Sequence, residues 1–347
     1  MEKILENLDI NSWVQNFNRS PLQENNPHES DAELIQIGED NSHLLAITID
    51  SVAEEITKGL YKDPFTMGWV TVMSNFSDLA AVGAKPLGIV VSVSIESTRS
   101  KAFCQNIAQG MSAACRKLGV FILGGDTNTT RTISLTGCAI GLVPQNKKVT
   151  RIGCKAGDFL FLSGCAGCGN AIALVHLAKL PEEYFPESSY RPIARIKEGQ
   201  LIRNYATCCM DTSDGVIHTL DQLMRLNKKQ FILNNNWDEI LNPSASEICK
   251  SLNIPSWLLL AGVHGEFELC FTIHPKDISE FIQAAKKIDW DPVLIGEIKE
   301  GDGVKINNKD GLVAIDTAFI RNLSINASQN PQDYIKGLID YASKLGI

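Results

Sequence analysis

From Phe65 to Val82 the chain is apolar on nearly every face that a helix would present, and the only ionisable side chain in the run is Asp78. A helix that is apolar all round is stable only when other elements enclose it. A carboxylate inside such a helix is costly unless it meets a cation or a full set of hydrogen bonds. Gly83 follows, where a helix C-terminus favours a left-handed residue, with Pro86 just beyond. The run therefore demands surrounding layers and a chemical reason for Asp78.

The chain has 347 residues, enough for two domains of roughly 150 to 200 residues each. Strands are expected at 43–50, 87–95, 120–123 and 132–143 from their β-branched and apolar content. The strand at 120–123 is expected to end at Gly124-Gly125-Asp126, and a helical stripe through Phe103, Ile107, Met111, Ala114 and Leu118 stops at Gly119. Residues 144–156 are basic and non-periodic, as a linker is, which places a boundary near Thr150. That gives a variable leading segment at 1–33, with an amphipathic turn around Trp13 and Phe17, a first domain at 34–150 and a second at 151–347. In the second, strands are expected at 158–163, 207–210, 265–273, 293–298 and 304–306, and helices at 170–180, 215–226, 243–252 and 275–288. This alternation lacks a uniform parallel rhythm and favours an α+β fold, mixed sheets flanked by helices.

Acidic residues outnumber basic ones 40 to 32, a net charge of -8, which argues against a surface that grips nucleic acid. An anionic substrate then depends on local cations or bound metal. Every apolar stretch is interrupted before the roughly 18 to 20 residues a membrane helix needs, and Met1–Ile10 carries Glu2, Glu6 and Asp9, unlike a signal peptide. A soluble, cytoplasmic protein is expected. Of the ten cysteines, Cys165 and Cys168 form a CxxC without a second pair, which reads as packing rather than zinc. The six histidines (28, 43, 176, 218, 264 and 274) lack metal-ligand spacing.

No P-loop, HExxH, GxSxG or strand-GxGxxG-helix pattern occurs. Instead, aspartates stand where elements end or glycine lets backbone approach: Asp40, Asp50, Asp78, Asp126, Asp211 and Asp214. Any one of them is ordinary turn or cap chemistry, and Ser213 or Asp214 is equally a plain N-cap. Together, as hard oxygen donors, they suit magnesium held by carboxylates and substrate phosphates. Gly124-Gly125 offers bare amides to a phosphate. Arg151 either pairs with a phosphate or is solvated, and Glu266 is either a substrate contact or an edge-strand charge.

The ordered series Gly38-Glu39-Asp40, Thr48-Ile49-Asp50, Ser74 to Ala84, Gly124-Gly125-Asp126-Thr127, Arg151 to Asp158, Met210 to Gly215 and Gly265 to Leu269 resembles the aminoimidazole ribonucleotide synthetase superfamily. Within it, the series is most similar to the thiamine-monophosphate kinases, whose motifs read GDD, STD, NLSDLAAMGA, GGDT, RSGAxxGD, MDISDGL and GGEDYEL. The resemblance covers about residues 35–300 and implies a two-domain α+β homodimer holding ATP with several Mg²⁺ ions between subunits. It implies transfer of the ATP γ-phosphate to the phosphate of thiamine monophosphate, giving thiamine diphosphate. By motif matching, Asp40, Asp50, Asp78, Asp211 and Asp214 hold metal, while Gly125, Asp126, Arg151 and Ser213 contact nucleotide. Asp78, Asp126 and Asp214 are then the catalytic set, with Glu266 and Thr57 facing substrate.

The chain departs from the pattern in places. Glu39 replaces the first Asp of GDD, Ile49 the Thr of STD, and Phe267 the Asp of GGEDYEL; Thr57-Lys58 stands at a thiamine-holding His-Phe. The kinases' aromatic C-terminal ending is not evident in 333–347. A relative acting on another small phosphate-bearing acceptor, and a non-catalytic nucleotide-binding dimer, remain as alternatives.

Overall fold

The computed structural model describes residues 17–38, 42–309, 311–325, 327 and 329–346. Trp13 of the expected leading turn therefore lies outside the described residues. Two sheets organise the chain. The first has the order β1-β2-β5-β3-β4, built from β1 (Glu33–Gln36), β2 (His43–Ser51), β3 (Lys85–Glu96), β4 (Ile122–Thr130) and β5 (Ser134–Pro144). All its pairings are antiparallel except β3 with β4. That parallel pair needs a crossover, and the helix Lys101–Leu118 provides it. β5 alternates buried and half-buried residues along its length, as a strand with one face on a core must.

The helix Pro64–Ala81 packs across this sheet and also against the strand Ala206–Asp211 and the helix Ile196–Ile202 of the second half. Its start is capped by Asp63, which accepts from the backbone N–H of Phe65 and Thr66, with Pro64 in the first turn. It ends as expected: Gly83 has φ 69° and its N–H reaches the Ala80 carbonyl at 2.9 Å. Two close approaches explain why glycine stands where it does. A Cβ on Gly68 would lie 2.1 Å from the Ile107 carbonyl oxygen, and one on Gly199 would lie 2.2 Å from that of Ala80. The helix is thus clamped between Lys101–Leu118 and Ile196–Ile202.

The second sheet has the order β12-β11-β8-β10-β6-β9-β7, from β6 (Phe159–Leu162), β7 (Ala206–Asp211), β8 (Gln230–Asn234), β9 (Leu269–Ile273), β10 (Val293–Lys299), β11 (Gly303–Asn308) and β12 (Gly311–Ile315). Only β8 and β11 pair in parallel. Both sheets are mixed and flanked by helices, the α+β class that the sequence implies.

Several expectations are corrected. β4 does not stop before Gly124-Gly125-Asp126 but runs through it, because β3 offers ladder partners as far as Glu96. The strand expected at 265–273 begins only at Leu269, since Glu266 turns onto backbone amides and Phe267 takes φ 57°. The expectation omits β1, β8 and β12 and the helices Thr317–Ser324 and Pro331–Leu345, short or polar elements held by tertiary contacts. Among the described residues, no helix is long and apolar enough to cross a membrane.

Candidate active site

The Ser74-Asn75-Phe76-Ser77-Asp78 stretch is a set of ties from one buried helix to its neighbours. Phe76 is core. Asn75 accepts from the Asp50 N–H at 3.0 Å and donates to the Asp50 carbonyl at 3.3 Å, pinning the end of β2. Ser77 donates to Asp211 Oδ2 at 2.7 Å, pinning the end of β7, and Thr48 on β2 donates to Asp78 Oδ2. The costly Asp78 thus stands where both sheets meet the central helix.

One carboxylate oxygen from each of Asp31, Asp78 and Asp211 lies within 4.8 Å of the others. Asp31 receives Arg151 Nη2 at 3.0 Å. Burial raises the Asp211 carboxyl to about 7, with Asp31 adding repulsion. Burial, then Asp211, Asp31 and Asp50, drive Asp78 well above the ordinary carboxylate range. Asp50 is also raised, chiefly by burial, and feels the charge of Asp214. Such crowding of carboxylates fits a bound divalent cation, whose charge would bring all of them down.

The structure brings Asp50, Asp78, Asp211 and Asp214 into one electrostatic neighbourhood and draws Ser213 to it, its N–H 3.4 Å from Asp211 Oδ1. Ser213 and Asp214 do not cap the helix Val216–Asn227; its N-cap is Gly215, without a side-chain cap hydrogen bond. Gly215 has φ 82°, and a Cβ there would lie 2.3 Å from the Gly262 carbonyl oxygen. Asp40 lies outside the described residues.

Other candidates stand apart. Gly125 and Asp126 are on β4, an edge strand exposed along its whole length, and Asp126 accepts from Asn128 at 2.8 Å. Glu266 is buried, accepting from the N–H groups of Gly169 and Asn170 at 3.1 and 3.2 Å at the start of the helix Cys168–Leu177, and burial raises it to about 7. Thr57 is exposed at the end of the helix Ala53–Thr57.

Beside Asp214 opens a cavity of about 1210 Å³, lined among others by Glu55, Lys58, His176, His218, His264 and Arg321. His218 is 8% exposed and neither ring nitrogen has a hydrogen-bond partner. Burial pushes His264 down to about 4 and Glu55 up to about 7. Sequence reasoning missed this wall because the three histidines are separated by 42 and 46 residues, 176 to 218 to 264. It missed Asp31 because Ser30-Asp31-Ala32 reads as an ordinary turn.

Comparison with known proteins decides the family. The family model described as AIR synthase related protein, N-terminal domain, matches residues 29–143. The thiamine-monophosphate kinase of Nitrosopumilus maritimus is 31% identical over 247 residues, 69% of this chain and 77% of that protein. That of Buchnera aphidicola subsp. Acyrthosiphon pisum is 30% identical over 276 residues, 77% of this chain and 83% of that protein. The chain belongs to the thiamine-monophosphate kinase family. In fold it matches AaThiL complexed with AMPPCP and TMP, with a TM-score of 0.73 at 22% identity, covering 89% of this chain and 96% of that one. The hydrogenase maturation protein HypE of E. coli matches with a TM-score of 0.67 at 19% identity, over 89% and 96% of the two chains. These structural likenesses carry the fold alone.

Proposed function

We propose that this chain transfers the γ-phosphate of ATP to thiamine monophosphate, giving thiamine diphosphate and ADP. A terminal phosphate oxygen of thiamine monophosphate attacks the γ-phosphorus, and the bond from that phosphorus to the β,γ-bridging oxygen breaks as ADP leaves. The observation that carries this reading is the buried acid cluster, whose Asp50 feels the charge of Asp214 on the cavity wall, in a chain of this family.

The donors suit magnesium: hard carboxylate oxygens, crowded and raised, with no thiolate or imidazole among them. Asp78 and Asp211, with Asp50, Asp214 and Asp40 by motif matching, would hold it. Bound there, the ion would neutralise charge on the transferring phosphate. The reaction needs no covalent nucleophile, since phosphoryl transfer depends on alignment and charge compensation. Arg151 adds a guanidinium held at the cluster. The uncapped N-terminus of Val216–Asn227 leaves backbone N–H groups free for phosphate oxygens.

The acceptor's thiazolium is a fixed cation. The cavity wall meets it with six carboxylates (Glu54, Glu55, Glu182, Glu187, Asp214, Asp221) against four cations (Lys58, Lys62, Lys179, Arg321). The wall, with Lys58 in place of the second residue of His-Phe and His218 facing inward, favours a second reading in which another small phosphate-bearing molecule is the acceptor. A homodimer is part of the proposal. β4 exposes Ile122 and Leu123, preceded by Phe121, at 42, 54 and 71%, an apolar edge that a second copy would cover. Gly125 and Asp126 on that edge would then reach nucleotide across the interface.

The test is incubation of the purified protein with Mg²⁺ and ATP, with and without thiamine monophosphate, read by mass spectrometry. Thiamine diphosphate and ADP in equal amounts are expected. Nucleotide binding without thiamine diphosphate would overturn the assignment of the acceptor.

A further inference from the structure

We propose that Glu55 selects the acceptor by pairing its carboxyl group with the edge of an aminopyrimidine, where a ring nitrogen lies beside an amino group. The inference rests on the reading of the cavity beside Asp214 as the acceptor's site, and it gives the pyrimidine half of that molecule a partner.

Glu55 is fixed by its own turn. It lies in the helix Ala53–Thr57, two residues before Thr57-Lys58, in the stretch where the chain departs from the kinase pattern. The residues after it fold back: Gly59 N–H donates to the Ile56 carbonyl at 3.0 Å and Leu60 N–H to that of Glu55 at 2.8 Å. The turn packs on the helix Cys168–Leu177, where a Cβ on Gly59 would lie 3.6 Å from His176 Cε1. Glu55 thereby joins the cavity wall, to which Leu60, Ile172, Val175, Leu180 and Phe185 add apolar surface for a flat ring.

The carboxyl group has no counter-ion. Lys58, the cation nearest in sequence, pairs with Glu54 one turn earlier, and among the described residues no cation pairs with Glu55. Oε2 is buried without a hydrogen-bond partner. Burial raises the group to about 7, with Glu54 and Asp50 adding repulsion, so the acid keeps a proton that a solvated glutamate has lost. A protonated carboxyl group offers a donor and an acceptor side by side. The aminopyrimidine edge is their complement: the acid O–H donates to the ring nitrogen, and the other oxygen accepts from the amino group. Both partners are neutral, so the pair forms in a desolvated wall without the cost of burying a charge. Of the six acids on the wall, Glu55 thus serves the pyrimidine ring rather than the thiazolium.

The competing roles for Glu55 are a counter-ion to the thiazolium and a packing residue of the turn. They separate in calorimetric titrations without nucleotide, using thiamine monophosphate and, as a second probe, its aminopyrimidine half as the free alcohol, which has no fixed cation. The unsubstituted protein should bind both. Glu55→Met, apolar and of similar size, should weaken both about tenfold or more through the lost pair. Glu55→Gln again sets a donor beside an acceptor and should restore both to within about threefold of the unsubstituted protein. A counter-ion would behave otherwise: Glu55→Gln would weaken thiamine monophosphate as much as Glu55→Met does. Circular-dichroism melts check folding, and Glu55→Ala carries the test if Glu55→Met does not fold. The inference is overturned if neither probe binds, if Glu55→Met binds both within about twofold of the unsubstituted protein, or if Glu55→Gln binds as weakly as Glu55→Met. Formation of thiamine diphosphate is assayed separately. Binding that depends on Glu55 without product would overturn the kinase reading and leave this inference standing; product with binding indifferent to Glu55 would do the reverse.

Discussion

The acid cluster and the cavity beside it are neighbours joined through Asp50 and Asp214, yet they are built differently. At the cluster each acid has a side-chain partner, Asn75 with Asp50, Ser77 with Asp211, Thr48 with Asp78 and Arg151 with Asp31, and the buried atoms left without one are Asp31 Oδ2 and Arg151 Nε. On the cavity side, His218 Nδ1 and Nε2, Glu55 Oε2 and Arg321 Nε are buried without partners. A site whose side chains hold one another is pre-organised for a fixed task, which in the proposed function is the grip on metal and phosphate. A wall of unpartnered polar groups is complete only when a ligand supplies the missing hydrogen bonds. Under the proposed function the difference separates the transfer machinery from the recognition of the acceptor.

The comparison breaks hardest at the helix. Asp78→Asn should lower ADP formation on the order of 10²–10³-fold or more, as loss of a main electrostatic contact does. Its melting temperature in chelator should hold or rise, because one of several crowded carboxylates is gone. Unchanged turnover would sink the assignment. His218→Ala should act on the other side alone, raising KM for the acceptor about tenfold through a lost hydrogen bond while kcat and KM for ATP stay within about twofold. Equal effects on both substrates would erase the distinction between the two regions.

Two smaller effects sharpen it through stability. Gly199→Ala would drive a methyl into the Ala80 carbonyl and push Ile196–Ile202 off the helix that carries Asp78. Overpacking of this kind costs about 1–3 kcal/mol and should lower the melting temperature by several degrees. Glu55→Gln should do the opposite and only at higher pH. Burial raises Glu55 from 4.5 to about 7, so the folded state favours the protonated acid. Its stabilising preference is fully present below the unfolded value and is lost as pH rises through about 7, where the buried group must ionise. The substitution should therefore raise the melting temperature at pH 8 by about 2–4 °C and leave it little changed at pH 4. Equal shifts at both pH values would show that Glu55 is not held in a desolvated wall.

Much of the cluster was legible because its carriers are local. Asp78 declares itself as the one charge in an apolar helix, and Asp211 and Asp214 as acids around a strand end and a glycine. The cavity was less legible. His218 stands on Val216–Asn227 with no nearby histidine in sequence, and its lack of partners is a property of what packs around it. Glu266 shows the converse. A conspicuous motif acid faces the amides of Gly169 and Asn170, 97 and 96 positions away, a contact that no spacing predicts.

By itself the sequence determined a buried helix from about residue 65 to 82, its stop at Gly83, the α+β alternation and the kinship of its aspartate motifs, because each depends on side-chain character read over a few neighbouring residues. Only the tertiary structure decided that Asp31 joins Asp211, 180 positions away, and that β4 carries Gly125 and Asp126 along an exposed edge. Those placements follow from how two sheets pack on one helix. Contacts that far apart in the chain are set by the packing of whole elements, which local periodicity does not encode.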